Sequence, residues 1–153
     1  MSPADDPSED LEVRRTVLDE HDELRRQLDQ IDACLAQAAA GHGQGFVEAR
    51  QRFHAMLVFF LGHLDHEEAL LTPLLSGCEA WGPVRLEQLL LEHAAQRLEV
   101  AELAALDTET SANDWAVRMK QFGISLRIDM AGEEYDFIHP NALPRHPGPA
   151  PLR

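Results

Sequence analysis

Apolar residues recur along this chain at steps of three and four, and the repeat covers four long segments. In the first, from about Ser8 to Ala40, the stripe is Val17, His21, Leu24, Leu28, Ile31, Leu35. In the second, from about Phe46 to Ser76, it is Phe53, Met56, Phe60, His63, Glu67, Leu70, Leu74. The third begins at Gly82-Pro83 and carries Leu86, Leu90, His93, Arg97, Val100, then Leu103 or Ala104. The fourth, from about Ala112 to Ile138, carries Trp115, Met119, Phe122, Leu126, Asp129, Glu133, Phe137. Each stripe has the period of an α-helix and predicts an amphipathic helix with that face buried.

The breaks agree with the stripes. Gly41, Gly43 and Gly45 supply a turn after the first helix, and Pro83 sits at a first-turn position of the third. Pro73 lies in the last turns of the second helix, where a kink or an early end is expected. The loop Asp107 to Ser111 precedes the fourth helix, and Pro140 ends it. No strand period competes. Four long helices joined by short loops predict an all-α, up-down-up-down four-helix bundle over residues 8–142. Residues 143–153 form a Pro-rich tail, expected to be extended or mobile.

Composition narrows the class. A chain of 153 residues with 44% apolar residues suits one domain with a full core. The net charge of −14 disfavours nucleic acid and anionic membranes as partners and favours cations. The start, MSPADDPSED, lacks the apolar run of an export signal, and Ala55 to Leu61 is too short to span a bilayer. Cys34 and Cys78 form neither a metal motif nor a disulfide framework, which fits two free thiols in the cytoplasm.

The chemistry lies in the exceptions to the apolar rule. Every stripe carries ionisable residues where core leucines are expected. His63 and Glu67, like Asp129 and Glu133, are four apart and share a helix face. His21 and His93 add one inward group each. Counted along antiparallel helices, His21 lies ~20 residues before the first helix ends and His63 ~18 after the second begins, so they share a height. Similar counts bring His93 and Asp129 to within about a turn of that level. Taken singly, each residue reads as a satisfied core or boundary side chain, and Glu67 can instead pair with Arg97. Taken together, three imidazoles and up to three carboxylates at one height predict a metal centre formed by His21, His63, Glu67, His93, Asp129 and Glu133. Mixed nitrogen and oxygen donors suit iron, manganese or zinc more than magnesium or calcium. Glu67 and Glu133 are placed to bridge two ions.

The remaining candidates are weaker. His66 is rotated off the stripe and reads as a surface or supporting residue, and His54 faces the other side of its helix. His42, His139 and His146 read as solvated. Tyr135 is expected to point away from the centre, and Glu68 and Glu134 to face solvent or a neighbouring helix.

The segments His21-Asp22-Glu23, HLDHEEALLTPLL at 63 to 75, Glu92-His93 and Glu133-Glu134 resemble the hemerythrin-like, or HHE cation-binding, domain over about residues 10 to 142. The resemblance implies a four-helix bundle with a non-haem di-iron centre, held by His21, His63 with Glu67, His93, and Glu133. In the family pattern the sixth position, four before Glu133, is a histidine. This chain has Asp129 there, which removes a nitrogen donor and adds negative charge. The implied function is to handle or sense oxygen, peroxide, nitric oxide or iron, with apolar Leu24, Phe60, Leu90 and Phe122 limiting water entry. Two rivals differ in kind: a di-iron oxidase or peroxide-decomposing enzyme, and a bundle with a degenerate or structural metal site acting as a partner-binding or regulatory module. A homodimer is compatible with either.

Overall fold

A computed structural model of the chain describes residues 7–78, 81–106 and 112–138. The loop 107–111, Pro140, His139, His146 and the tail 143–153 lie outside the described residues, as does the side chain of Phe137. Helix α1 spans Pro7–Ala39, α2 Gln44–Ser76, α3 Gly82–Ala105 and α4 Ala112–Glu133, followed by a π-helical turn over Glu134–Ile138. No strand occurs among the described residues. None of their helices is long and apolar enough to cross a membrane.

Local chemistry sets the helix ends. Acidic Glu9 and Asp10 in the first turn of α1 complement the positive end of its dipole. Gly41 adopts a φ of +94° and turns the chain towards α2. Gly45 then lets α2 start against the end of α1, where a Cβ would lie 2.5 Å from the Cys34 carbonyl oxygen. Helix α2 continues through Pro73 to Ser76. A proline this near the end removes a single ladder hydrogen bond, so the expected early termination does not occur. Pro83 opens α3, where its missing N–H has no intrahelical partner to lose.

Contacts between helices give their directions. Gln30 and Cys34 of α1 meet Arg52 and Glu48 of α2, whereas Glu20 meets His63. Arg50 of α2 reaches the Leu106 carbonyl just past α3, whereas Glu68 meets His93. Glu102 and Gln96 of α3 meet Arg118 and Asp129 of α4. Asp32 of α1 meets Arg127 of α4, whereas His21 meets Glu134. Each pair of neighbours therefore runs antiparallel, as an up-down-up-down bundle requires.

The core has three levels. A large apolar cluster fills the end that holds Leu28, Ile31, Phe53, Met56, Val100, Trp115, Met119 and Phe122. Its rings pack edge to face, Phe60 on Phe122 and Phe53 on Trp115, each pair 5.7 Å apart. A smaller cluster at the other end joins Val17, Leu71, Leu75 and Leu89. Between them along α1, α2 and α3 lie the buried polar residues His21, Glu67 and His93; His63 sits one turn before Glu67, and Glu133 follows Met130, the last buried apolar residue of α4.

The stripes need correction at that polar level and beyond it. In α2 the buried residues past Glu67 are Leu71 and Leu75, with Leu70 and Leu74 only partly buried. In α3 the buried face is Leu89, His93, Gln96, Val100 and Leu103. Leu90 is 42% exposed, so it does not belong to the apolar wall around the site, and Arg97 is half-exposed. In α4, Met130 takes the buried place between Leu126 and Glu133, leaving Asp129 half-buried.

Candidate metal centre

Five side chains from the four helices converge. His21 of α1, His63 and Glu67 of α2 form one group whose ligand atoms all lie within 4.8 Å of one another; Glu67, His93 of α3 and Glu133 of α4 form a second. Glu67 belongs to both. Its Oε2 lies 2.8 Å from His63 Nε2, 3.7 Å from His21 Nε2 and 3.8 Å from His93 Nε2. Glu133 spans the same space, with Oε2 3.2 Å from His21 Nε2 and Oε1 3.6 Å from His93 Nε2. His21, Glu67 and His93 are fully buried.

The inward atoms are poorly satisfied without a cation. Among the described residues, His21 Nε2, His93 Nε2, both Glu67 oxygens and Glu133 Oε2 are buried with no hydrogen-bond partner. Buried polar atoms in that state are costly, and here they are concentrated at one point. Burial pulls the His21 pKa down, but Glu133 and Glu67 outweigh it and push it up to about 10. Burial likewise opposes the upward shift of His93 that Glu133 and Glu67 produce. Glu67 is held below the usual carboxylate range, with His21 and His63 overcoming its desolvation. These shifts have one physical cause: the site demands positive charge, which a proton or a metal ion can supply. The donor set of imidazoles and carboxylates therefore fits a metal.

Each imidazole is held from behind. His21 Nδ1 donates to Glu134 Oε1 at 3.0 Å, and Arg25 holds that oxygen at 2.8 Å. His93 Nδ1 donates to Glu68 Oε1 at 3.0 Å, with Arg97 2.7 Å from the same oxygen. His63 Nδ1 faces Glu20 Oε2 at a longer 3.5 Å, and Glu20 also accepts from His66 at 2.9 Å. A carboxylate on Nδ1 fixes the tautomer and leaves the Nε2 lone pair aimed at the centre. Arg97 and His93 keep Glu68 ionised in spite of its burial.

These outer glutamates are what the sequence pattern missed. Of the two expected placements, Glu68 and Glu134 take the neighbouring helix, and there they turn their carboxylates onto ligand-side histidines. The signal was present as spacing: Arg25 and Arg97 each lie four residues after an inward histidine, and Glu68 and Glu134 each directly follow an inward glutamate. Arg97 pairs with Glu68 and Asp65, not with Glu67. The π-helical turn begins at Glu134, so Glu133 and Glu134 serve the inner and outer positions at a change of helical pitch.

Asp129 stands apart. It belongs to neither convergent group, and its Oδ2 accepts a hydrogen bond from Gln96 Nε2 at 2.9 Å. Gln96 is a buried amide that the sequence pattern did not place in the core. Near it, Glu92 is pushed up to about 8 by burial and by the charges of Glu133 and Asp129. Tyr135 is 75% exposed, and His54 is exposed beside Phe53, both away from the centre.

No curated protein and no solved structure matches this chain significantly. A family model does: the hemerythrin HHE cation-binding domain matches residues 13–139, which takes in all four helices and every side chain of the convergent groups. The match covers well over half of the chain, and the chain belongs to the hemerythrin HHE cation-binding domain family.

Proposed function

We propose that this protein carries a carboxylate-bridged non-haem di-iron centre and uses it to handle or sense oxygen, peroxide, nitric oxide or iron. The observation that carries the reading is the set of five inward atoms with no hydrogen-bond partner, drawn from His21, His93, Glu67 and Glu133. Imidazole with carboxylate favours iron, manganese or zinc over magnesium or calcium. His21 and His63 would hold one ion and His93 the other, with Glu67 and Glu133 between them. When bound, ferrous iron supplies electrons and an exchangeable coordination position for a small ligand. The chain's own part is to hold geometry and exclude water. Glu134, Glu68 and Glu20 orient the imidazoles, while buried Leu24, Phe60 and Phe122 seal the adjoining level of the core. Binding of a small ligand, not turnover, is the primary role in this reading, and free Cys34 and Cys78 suit a reducing cytoplasm.

Elemental analysis of freshly purified protein, with its near-ultraviolet spectrum, tests the proposal. More than one iron per chain is expected, rising to two when Fe²⁺ is supplied in excess, and His63→Ala and Glu133→Ala should each remove most of it. His54→Ala should leave it intact. Equal metal content in all three variants would refute the assignment, and a full complement of metal whose spectrum ignores oxygen, peroxide and nitric oxide would reassign the site to a structural role.

A further inference from the structure

The two halves of the centre are related by an internal echo, and they differ at specific places. On α1, Glu20, His21, Leu24 and Arg25 correspond in spacing to Glu92, His93, Gln96 and Arg97 on α3. On α2, His63, His66, Glu67 and Glu68 correspond to Asp129, Gly132, Glu133 and Glu134 on α4. Where the halves agree, the structure repeats itself. His21 with Glu134 and Arg25 matches His93 with Glu68 and Arg97, each histidine 3.0 Å from its glutamate.

Where they disagree, one half is depleted. In the first half, His63 Nε2 lies 2.8 Å from Glu67, and Glu20 supports His63 and His66 from behind. In the second half, Asp129 replaces His63 and Gly132 replaces His66; a Cβ on Gly132 would meet nothing within 4 Å. Gln96 replaces apolar Leu24 and donates its amide to Asp129 Oδ2 at 2.9 Å. Asp129 consequently joins neither convergent group. The group around His21, His63 and Glu67 has two imidazoles. The group around His93, Glu133 and Glu67 has one, and shares Glu67 with its neighbour.

We infer that the two metal positions are inequivalent: the one at His21 and His63 holds a divalent cation tightly, and the one at His93 holds its cation weakly because Gln96 keeps the Asp129 carboxylate engaged elsewhere. This rests on the metal-binding reading above and adds an order of filling to it. Borderline cations such as Fe²⁺ and Zn²⁺ favour imidazole over an extra carboxylate, so losing one nitrogen donor lowers affinity at that position alone. The Gln96 amide lowers it further by occupying an oxygen that would otherwise be free to turn towards the metal, four residues before Glu133 on the same helix face. Gln96 is a positioning residue in this scheme, acting through Asp129.

Calorimetric titration of the chelator-stripped full chain with Zn²⁺ alone tests the inference without reference to any activity. Wild type should take up one ion tightly and a second with a dissociation constant at least about tenfold higher, the scale on which supporting groups act in metal sites. Gln96→Leu, which installs the residue of the matching position in the first half, should strengthen the second step and leave the first unchanged. Asp129→His should strengthen it further, so that the two constants converge. Two equal steps in wild type would overturn the inference, and so would a second step that Gln96→Leu does not move. No Zn²⁺ uptake at all would overturn the metal-centre reading itself, a result distinct from two equal steps.

Discussion

A carboxylate sealed inside a protein needs a donor or a cation at each oxygen, and neither oxygen of Glu67 has a hydrogen-bond partner among the described residues. The same holds for the inward nitrogens of His21 and His93, while their outward nitrogens are anchored to Glu134 and Glu68. The outer glutamates thus set which nitrogen is free, and their loss should be felt as metal affinity. Glu68→Ala is expected to weaken metal binding by about 10–100-fold, measured by competition with a chromophoric chelator. Folding should survive, since Arg97 keeps Asp65 as a partner. Glu102→Ala, which removes only an exposed pair with Arg118, should leave affinity unchanged. The inward set was legible in the sequence because His21, His63, Glu67, His93 and Glu133 interrupt apolar stripes. The outer set was not, because a glutamate beside a core position reads as solvated until the neighbouring helix is in place. Asp129 shows the same limit from the other side. Spacing put it on the stripe, but only the packing of α3 brought Gln96 against it, and Asp129 is half-buried outside both convergent groups.

Helices and their order follow from period and punctuation alone, yet the exact face of α3 does not. Leu89, Leu90 and Leu91 offer two competing stripes, and the one that wins buries Leu89 and Gln96 while exposing Leu90 and Leu91. A buried glutamine breaks the apolar rule that a stripe is read by, so the pattern favoured the wrong neighbour. Close approaches between helices are equally hidden in sequence. The glycines at 41, 43 and 45 all read as a turn, but they do different work. A Cβ at Gly45 would press on the Cys34 carbonyl and on the Ala38 nitrogen, both backbone atoms that cannot swing aside, whereas one at Gly43 would meet nothing within 4 Å. Gly45→Ala should therefore cost about 1–3 kcal/mol by forcing α1 and α2 apart. Gly43→Ala, already at a helical φ of −58°, should change stability by no more than about 0.5 kcal/mol. Urea unfolding followed by circular dichroism separates the two, and equal costs would mean that the α1–α2 junction yields more readily than its geometry implies.

The whole molecule carries a formal charge of −14, yet at its centre it requires positive charge. In metal-stripped protein that requirement falls on protons. His21, surrounded by Glu67, Glu133 and Glu134, with Arg25 behind the last, has its pKa pushed up to about 10 from an ordinary 6.5. Between those two values the folded chain binds a proton that the unfolded chain has released. The resulting stabilisation is complete below about pH 6.5 and is lost as pH rises through about 10. Glu92, pushed up to about 8, acts in the same direction, because its proton is also held more tightly in the folded state. Stripped protein should therefore melt at progressively lower temperature from pH 6.5 to pH 9.5, each kcal/mol lost lowering the midpoint by about 2–4 °C for a domain of this size. Metal-loaded protein should show little of this slope, since a cation bound at Nε2 replaces the proton and binds better as protons leave. Added salt distinguishes this origin from repulsion across the acidic surface: surface repulsion is screened within a Debye length of about 8 Å at physiological ionic strength, whereas a fully buried histidine and glutamate are screened far less. Thermal melts of stripped and loaded protein at low and high salt give the four comparisons required. A slope that salt abolishes, or one that persists unchanged in the loaded form, would place the pH dependence on the surface and not at His21.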